Sequence, residues 1–276
     1  MSLAATAYVI RAEMAKTIRI YFSYPIIMVY WAIFPVLWVF PFLFQGKAMV
    51  GSSTSAAFQQ MTGSGNYMAF ILIGAMVSNF VFSGLWGVGN SLREETYWGT
   101  MEYIIASPTH PLIILVGKTL AEASITTFIV FLQATIISFM PFGISFTVAK
   151  VLPVLLLVVL LMIGFYGFAI AFAGFTLLIK EVHGWVHTLE WVFFLFSPIR
   201  YPVQVNPITS FVSVLIPLTW ALVAIRGIIL LNQHDVGLWR ITGILLAMDA
   251  ALLVGGYYTF VALERKTRLD GTVGMH

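Results

Sequence analysis

The chain has 276 residues, 60% of them hydrophobic and only 9% charged, with 14 Lys+Arg against 11 Asp+Glu and no cysteine. A soluble globular domain carries about 25% charged residues, so most of this surface does not face water, and lipid is the solvent that fits. The lack of cysteine excludes disulfides, thiolate chemistry and Cys-based metal sites, and the dispersed basic residues suit an anionic membrane leaflet better than a nucleic acid.

The chain opens without a short apolar stretch ending in a small-residue cleavage site, which predicts a mature start rather than a removable signal peptide. Over residues 1–24, Arg11, Lys16 and Arg19 are interleaved with Tyr8, Ile10, Met14, Ile18 and Phe22. That spacing predicts an amphipathic helix lying in the membrane interface. A spanning helix needs about 20 mostly apolar residues, and six stretches qualify: roughly 26–44, 67–90, 118–140, 151–179, 185–203 and 238–263. Lys47 and Lys150 stand alone between long apolar runs, as loop residues would. Gly164, Gly167 and Gly174 on the fourth span predict close packing against a neighbour. Pro198 and Pro202 cut the fifth, and Pro207 and Pro217 divide the apolar stretch 203–233 that follows. This stretch is predicted to form re-entrant half-helices between the fifth and sixth spans, because irregular backbone at membrane depth survives only inside protein or along a wet cavity. With both termini in the cytoplasm, nine Lys and Arg, Lys180 among them, fall inside and five elsewhere, the bias of an inside-positive topology.

The connection between the second and third spans, 93–108, carries Glu94 and Glu95, then Tyr97-Trp98-Gly99-Thr100-Met101-Glu102, then Ser107-Pro108. Acidic residues suit a helix start, and Tyr97, Trp98, Met101, Ile104 and Ile105 would give it an apolar surface. Such a helix can dock in a groove on a partner or lie on lipid. Farther on, Gly117-Lys118-Thr119 has the ending of a phosphate-binding loop, but that loop needs a glycine five residues before Gly117, where Leu112 stands. No nucleotide site is predicted.

Ionisable residues within spans are functional candidates by default. Glu122 is expected to pair with Lys118 one helical turn away. Asp249, mid-way along the sixth span, is expected to hydrogen-bond to a neighbouring helix, with a proton or cation role as the alternative. Arg200 and Arg226 flank the half-helix region and are expected to meet carbonyls at half-helix C-termini. His183, His187 and Glu190 share one helical face, the arrangement metal ligation would need, but anchoring histidines beside a carboxylate are commoner, and no metal site is predicted. Asn79, Phe80, Phe82 and Trp86 with Trp191, Phe194 and Phe196 offer the makings of an aromatic cavity.

The loop at 93–108 resembles that of the ABC-2 type transporter permeases: Glu94 or Glu95, Gly99-Thr100, Glu102, Ser107-Pro108 and Gly117-Lys118 match its pattern. A second resemblance lies at Pro217-Leu218-Thr219, with Arg226-Gly227 following. The likeness covers nearly the whole chain and implies one all-α transmembrane domain over 1–276, non-catalytic, in the plasma membrane. It implies that two such permeases pair, as a homodimer or heterodimer, and that each binds a separate nucleotide-binding subunit carrying the ATP and Mg, with no cofactor on this chain. By resemblance Glu94, Glu95, Tyr97, Trp98, Gly99, Thr100 and Glu102 form the coupling helix. Asn79, Phe82, Trp86, Glu190 and Phe194 line the substrate pathway, and Pro217, Thr219 and Arg226 form an outer gate. The cargo expected is an amphipathic small molecule, drug or lipid. The alternatives are a glycan exporter, or an ion-coupled secondary transporter using Asp249, although the internal repeats common in the latter are not evident. A membrane enzyme is disfavoured, as no carboxylate pair or histidine cluster stands at catalytic spacing.

Overall fold

The computed structural model describes residues 2–52, 54–140, 142–144, 147–179, 181–232 and 236–270. Lys180, Gln233 and 271–276, which entered the expectations above, lie outside the described residues. Within them the chain is helical, and β pairing is limited to an isolated bridge between Thr54 and Asn66.

Helix α1 (Leu3–Ser23) is capped by the Ser2 side chain, which accepts from the Ala5 amide. Pro25 then opens α2 (Pro25–Val50) at a position where its missing N–H costs nothing. After the short α3 (Ala56–Thr62), α4 (Tyr67–Ser83) runs into a π-helical turn, Gly84–Gly89. Two short helices follow, α5 (Ser91–Tyr97) and α6 (Met101–Ala106), and then the long α7 (Pro111–Ser138) and α8 (Val148–Thr176). The remainder is α9 (Val182–Phe196), α10 (Pro207–Val214), α11 (Pro217–Leu231) and α12 (Val236–Asp270).

Among the described residues five stretches are long and apolar enough to cross a membrane: 25–49, 67–89, 111–138, 149–176 and 237–269. The sixth candidate is not the segment predicted. Helix α9 ends at Phe196, ahead of Pro198, and its 15 residues reach only about 22 Å at 1.5 Å per residue. The pair α10 and α11, bent by 94° at the break before Pro217, qualifies in its place if counted as one span. Prolines at the first turn of both helices explain that break, since Pro starts a helix but cannot continue one.

The 67–89 stretch is the centre of the bundle, with 83% of its apolar window buried against 19% for 25–49 and 22% for 237–269. Helices α8 and α12 form the most extensive contact between elements. The three glycines expected to permit close packing all face α12: a Cβ on Gly167 would lie 2.8 Å from the Leu253 nitrogen, and one on Gly174 3.0 Å from the Phe260 Cα. In lipid, where apolar burial gives helices little reason to associate, such backbone approach provides the packing.

Helix α1 lies along α7, where Gly117 leaves room for the Ile10 carbonyl. His110, at the start of α7, meets Glu264 near the end of α12 at 3.4 Å. Thus α1, the 91–110 segment and the end of α12 gather at one end of the bundle. At the other, Lys150 donates to the Ile229 carbonyl (2.9 Å) and satisfies a last-turn acceptor of α11.

Candidate functional site

The 93–108 connection is an elbow of two short helices rather than one amphipathic helix. Helix α5 ends at Tyr97 with Trp98 as its C-cap, and Gly99 takes φ +69°, a left-handed conformation open to glycine and costly for other residues. The Thr100 amide then returns to the Glu95 carbonyl (2.9 Å), and its hydroxyl donates to the Glu95 carboxylate. Because the chain turns here, its apolar residues part company. Met101 is buried in the core and Ile104 and Ile105 are half-buried, whereas Tyr97, Trp98 and Tyr103 stand 54%, 60% and 78% exposed.

The two glutamates brace the elbow. Glu95 is buried and paired with Lys16 of α1 (3.0 Å), which also meets Glu13 (2.9 Å). Burial disfavours both charges, but hydrogen bonds from Thr100 and Lys16 outweigh it and hold the Glu95 carboxyl below the ordinary range. For Lys16, burial is likewise outweighed by Glu13 and Glu95, which push its ammonium up. Glu94 pairs with Lys118 of α7 (3.1 Å). Lys118 is therefore not the partner of Glu122, as helical spacing suggested. Glu122 is buried, accepts from the Tyr21 hydroxyl (3.3 Å), and packs where a Cβ on Gly87 would stand. Burial and then this carboxyl push the Tyr21 phenol up, so it stays a donor. Glu102 remains exposed.

From the elbow a ladder of rings leads inward. Tyr97, with the Arg93 guanidinium over its ring, lies parallel to His183 of α9 (centroids 6.4 Å, 5°). His183 stacks on Trp86 of the π-helical turn (5.7 Å), whose indole N–H donates to Glu190 (2.5 Å). The other Glu190 oxygen meets His187 Nδ1 at 3.0 Å. The shared face of His183, His187 and Glu190 is thus spent on stacking and hydrogen bonding, and the described residues contain no metal-binding group.

Glu190 borders a cleft of about 430 Å³ between α2, α4 and α9. Of the predicted pathway residues, Phe82, Trp86, Glu190 and Phe194 line it. Asn79 does not: its amide donates to Gln133 of α7 (2.9 Å) on the other side of α4. Sequence reasoning missed the α2 wall of Tyr30, Trp31, Phe34 and Trp38. The signal was available, because positions 30, 34 and 38 repeat every four residues along one helical face. A smaller cavity of about 50 Å³ behind Trp86 holds Tyr21, Ser83 and Glu122.

The proposed gate residues sit together on α11 around a third cavity of about 200 Å³ that includes Thr219 and Arg226, with Pro217 opening the helix. Arg226 is buried and works as a staple, donating to the carbonyls of Pro198 (2.5 Å), Ile199 (3.1 Å) and Phe70 (2.7 Å). The first two follow the end of α9, as expected of an arginine serving broken helices; the third belongs to α4. Among the described residues Arg200 meets no such carbonyl and instead lies over the rings of Phe194 (3.4 Å) and Phe42 (4.1 Å). Thr219 shares a hydrogen bond with Ser213 (2.9 Å). Asp249 departs from expectation: it is buried against Gly164, and neither carboxylate oxygen finds a donor among the described residues.

The family model described as ABC-2 type transporter matches residues 5–230, most of the chain and all of the elements just described except α12. No curated protein matches the sequence.

Proposed function

The chain belongs to the ABC-2 type transporter family, and from that premise we propose that it is the permease half of an exporter, driven by a nucleotide-binding subunit on a separate chain. The observation that carries this reading is the elbow: Tyr97, Trp98 and Tyr103 project from a segment braced by Lys16–Glu95 and Lys118–Glu94. Exposed aromatics on a rigid support are the anchors a protein partner uses, and the brace joins them to α1 and α7. The ring ladder from Tyr97 to Glu190 gives displacement of the elbow a direct path to the cleft.

On this reading two permeases pair in the plasma membrane with both termini cytoplasmic, and ATP and Mg stay on the partner subunits. The chain contributes no catalytic group. ATP binding favours one arrangement of the partner subunits, and the elbow passes that preference to the cleft as a population shift. The cargo is an amphipathic small molecule, drug or lipid, taken into the cleft of Phe82, Trp86, Glu190 and Phe194 and released past Thr219 and Arg226. A glycan is less well served, since the cleft is walled by rings with few polar groups.

The test is reconstitution of the permease with its nucleotide-binding subunit in sealed vesicles. Transport should require ATP and that subunit. Trp98→Ala combined with Tyr103→Ala should cut co-purification of the subunit and ATP-driven transport at least about tenfold, the loss of about 1.4 kcal/mol of docking. Uptake that persists without any ATPase would overturn the reading.

A further inference from the structure

The described residues lining the cleft between α2, α4 and α9 contain one carboxylate, Glu190, and neither lysine nor arginine. Both Glu190 oxygens are engaged, one by the Trp86 indole and one by His187, which fixes the carboxylate's direction. A carboxylate offers about four acceptor sites, so two donors leave it able to meet a further positive group. Around it the cleft is walled by aromatic rings, a ring type whose faces carry negative electrostatic potential. Tyr30 and Phe34 stack on each other (4.9 Å, 22°) and remain 50% and 40% exposed. Trp191 is 61% exposed on the α9 side.

The same wall already holds a cation. Arg200 lies 3.4 Å from the Phe194 centroid and 5.8 Å from that of Trp38, both of which line the cleft. These rings therefore serve as a cation platform within the protein itself. With Arg200 occupying the Phe194 ring, a ligand's positive group has its place beside Glu190, while its apolar body lies along Tyr30, Phe34 and Trp191.

We propose that this cleft selects an organic cation: an amphipathic molecule whose ammonium or phosphonium centre sits between Glu190 and the aromatic wall. The proposal rests on the permease reading only for its transport consequence; the binding itself needs neither nucleotide nor partner.

Tetraphenylphosphonium and tetraphenylborate share one shape and carry opposite charges, so they separate charge selection from apolar uptake. Binding of each to the purified full-length chain in phosphatidylcholine nanodiscs is measured by equilibrium dialysis, with empty nanodiscs correcting for partition into lipid. The phosphonium is expected to bind saturably, and Glu190→Gln to weaken it about tenfold. Phe34→Leu, which keeps apolar volume and removes the ring, should weaken it several-fold and serves as the test if Glu190→Gln does not fold. Equal saturable binding of the borate, wild-type affinity in a folded Glu190→Gln, or no saturable binding because a second copy covers the cleft would each overturn the proposal. ATP-independent transport, by contrast, would overturn the permease reading and leave this one standing.

Discussion

Arg226 shows what a residue-level reading reaches and where it stops. Its position after Pro217-Leu218-Thr219 and the cost of an intramembrane charge marked it in advance, and carbonyl partners were expected. Which carbonyls they are was not legible, because Phe70 is 156 residues away and only folding brings it near. Three backbone acceptors, all reached by one planar fork, make Arg226 a structural staple. Arg226→Lys keeps the charge but lacks the fork, so at least one acceptor loses its donor, at about 1–3 kcal/mol for each buried group left unpaired. The expected result is a lower thermal unfolding temperature in detergent for Arg226→Lys, and a larger drop for Arg226→Ala. Glu122 teaches the opposite lesson. Helical spacing offered Lys118, but the elbow brings Glu94 to that lysine, and tertiary contact outweighs the weak local pair. The Lys16–Glu95 pair was illegible for the same reason, joining residues on separate elements. Its pH dependence follows from the two shifts. A lowered Glu95 contributes fully above the ordinary carboxylate pKa near ~4.3 and loses its contribution as pH falls through the lower folded value. A raised Lys16 contributes fully below its ordinary pKa near ~10.4 and loses it as pH climbs through the higher one. Because Lys16 is partly exposed, the pair is worth about 0.5–1 kcal/mol. The stability gap between wild type and Glu95→Gln should stay flat from about pH 6 to 9 and close as pH drops toward about 3, read from unfolding midpoints in detergent.

At the scale of elements, the apolar runs and prolines placed most helices well, because length and breakers are local properties. The two failures, the extent of the fifth span and the single coupling helix, came from backbone choices that composition does not carry. Pro198 ended α9 early, and Gly99 broke the 93–108 connection in two. Gly99 has nothing within 4 Å of a would-be Cβ, so substitution there tests backbone strain without steric clash. Gly99→Ala should cost about 1 kcal/mol locally. It should reduce ATP-driven transport several-fold while leaving nanodisc binding of cargo intact. Equal loss of both would mean that the elbow supports the cleft rather than transmitting to it. The α8–α12 pair offers a second test at this scale. A Cβ on Gly256 would stand 2.1 Å from the Gly167 carbonyl oxygen, and backbone cannot move aside as a side chain can. Gly256→Leu is expected to destabilise by at least about 1–3 kcal/mol through overpacking, against no more than a few tenths for the same change at Gly255, which faces open space. The contrast is read as paired shifts in unfolding temperature.

For the molecule as a whole, the decisive question is where its energy comes from. An ion-coupled transporter of the kind weighed above would use Asp249, buried in the 237–269 span, to load and release a cation along the path proposed for cargo. The architecture separates the two. Asp249 faces α8 at Gly164, whereas the described cleft residues come from α2, α4, the π-helical turn and α9, with none from α8 or α12. An unpartnered carboxyl group buried between two helices costs stability rather than adding it. Removing it should therefore relieve the α8–α12 interface. Asp249→Ala takes away both unsatisfied oxygens and leaves only a small space beside Gly164. Its unfolding temperature should equal or exceed that of the wild type, and ATP-driven transport in vesicles should stay within about twofold, well under the 1.4 kcal/mol that a tenfold change represents. Loss of transport in a stably folded Asp249→Ala, restored by neither ATP nor the nucleotide-binding subunit, would move the coupling site from the elbow to α12. In that case the unpaired carboxyl would be the site at which the transport cycle begins.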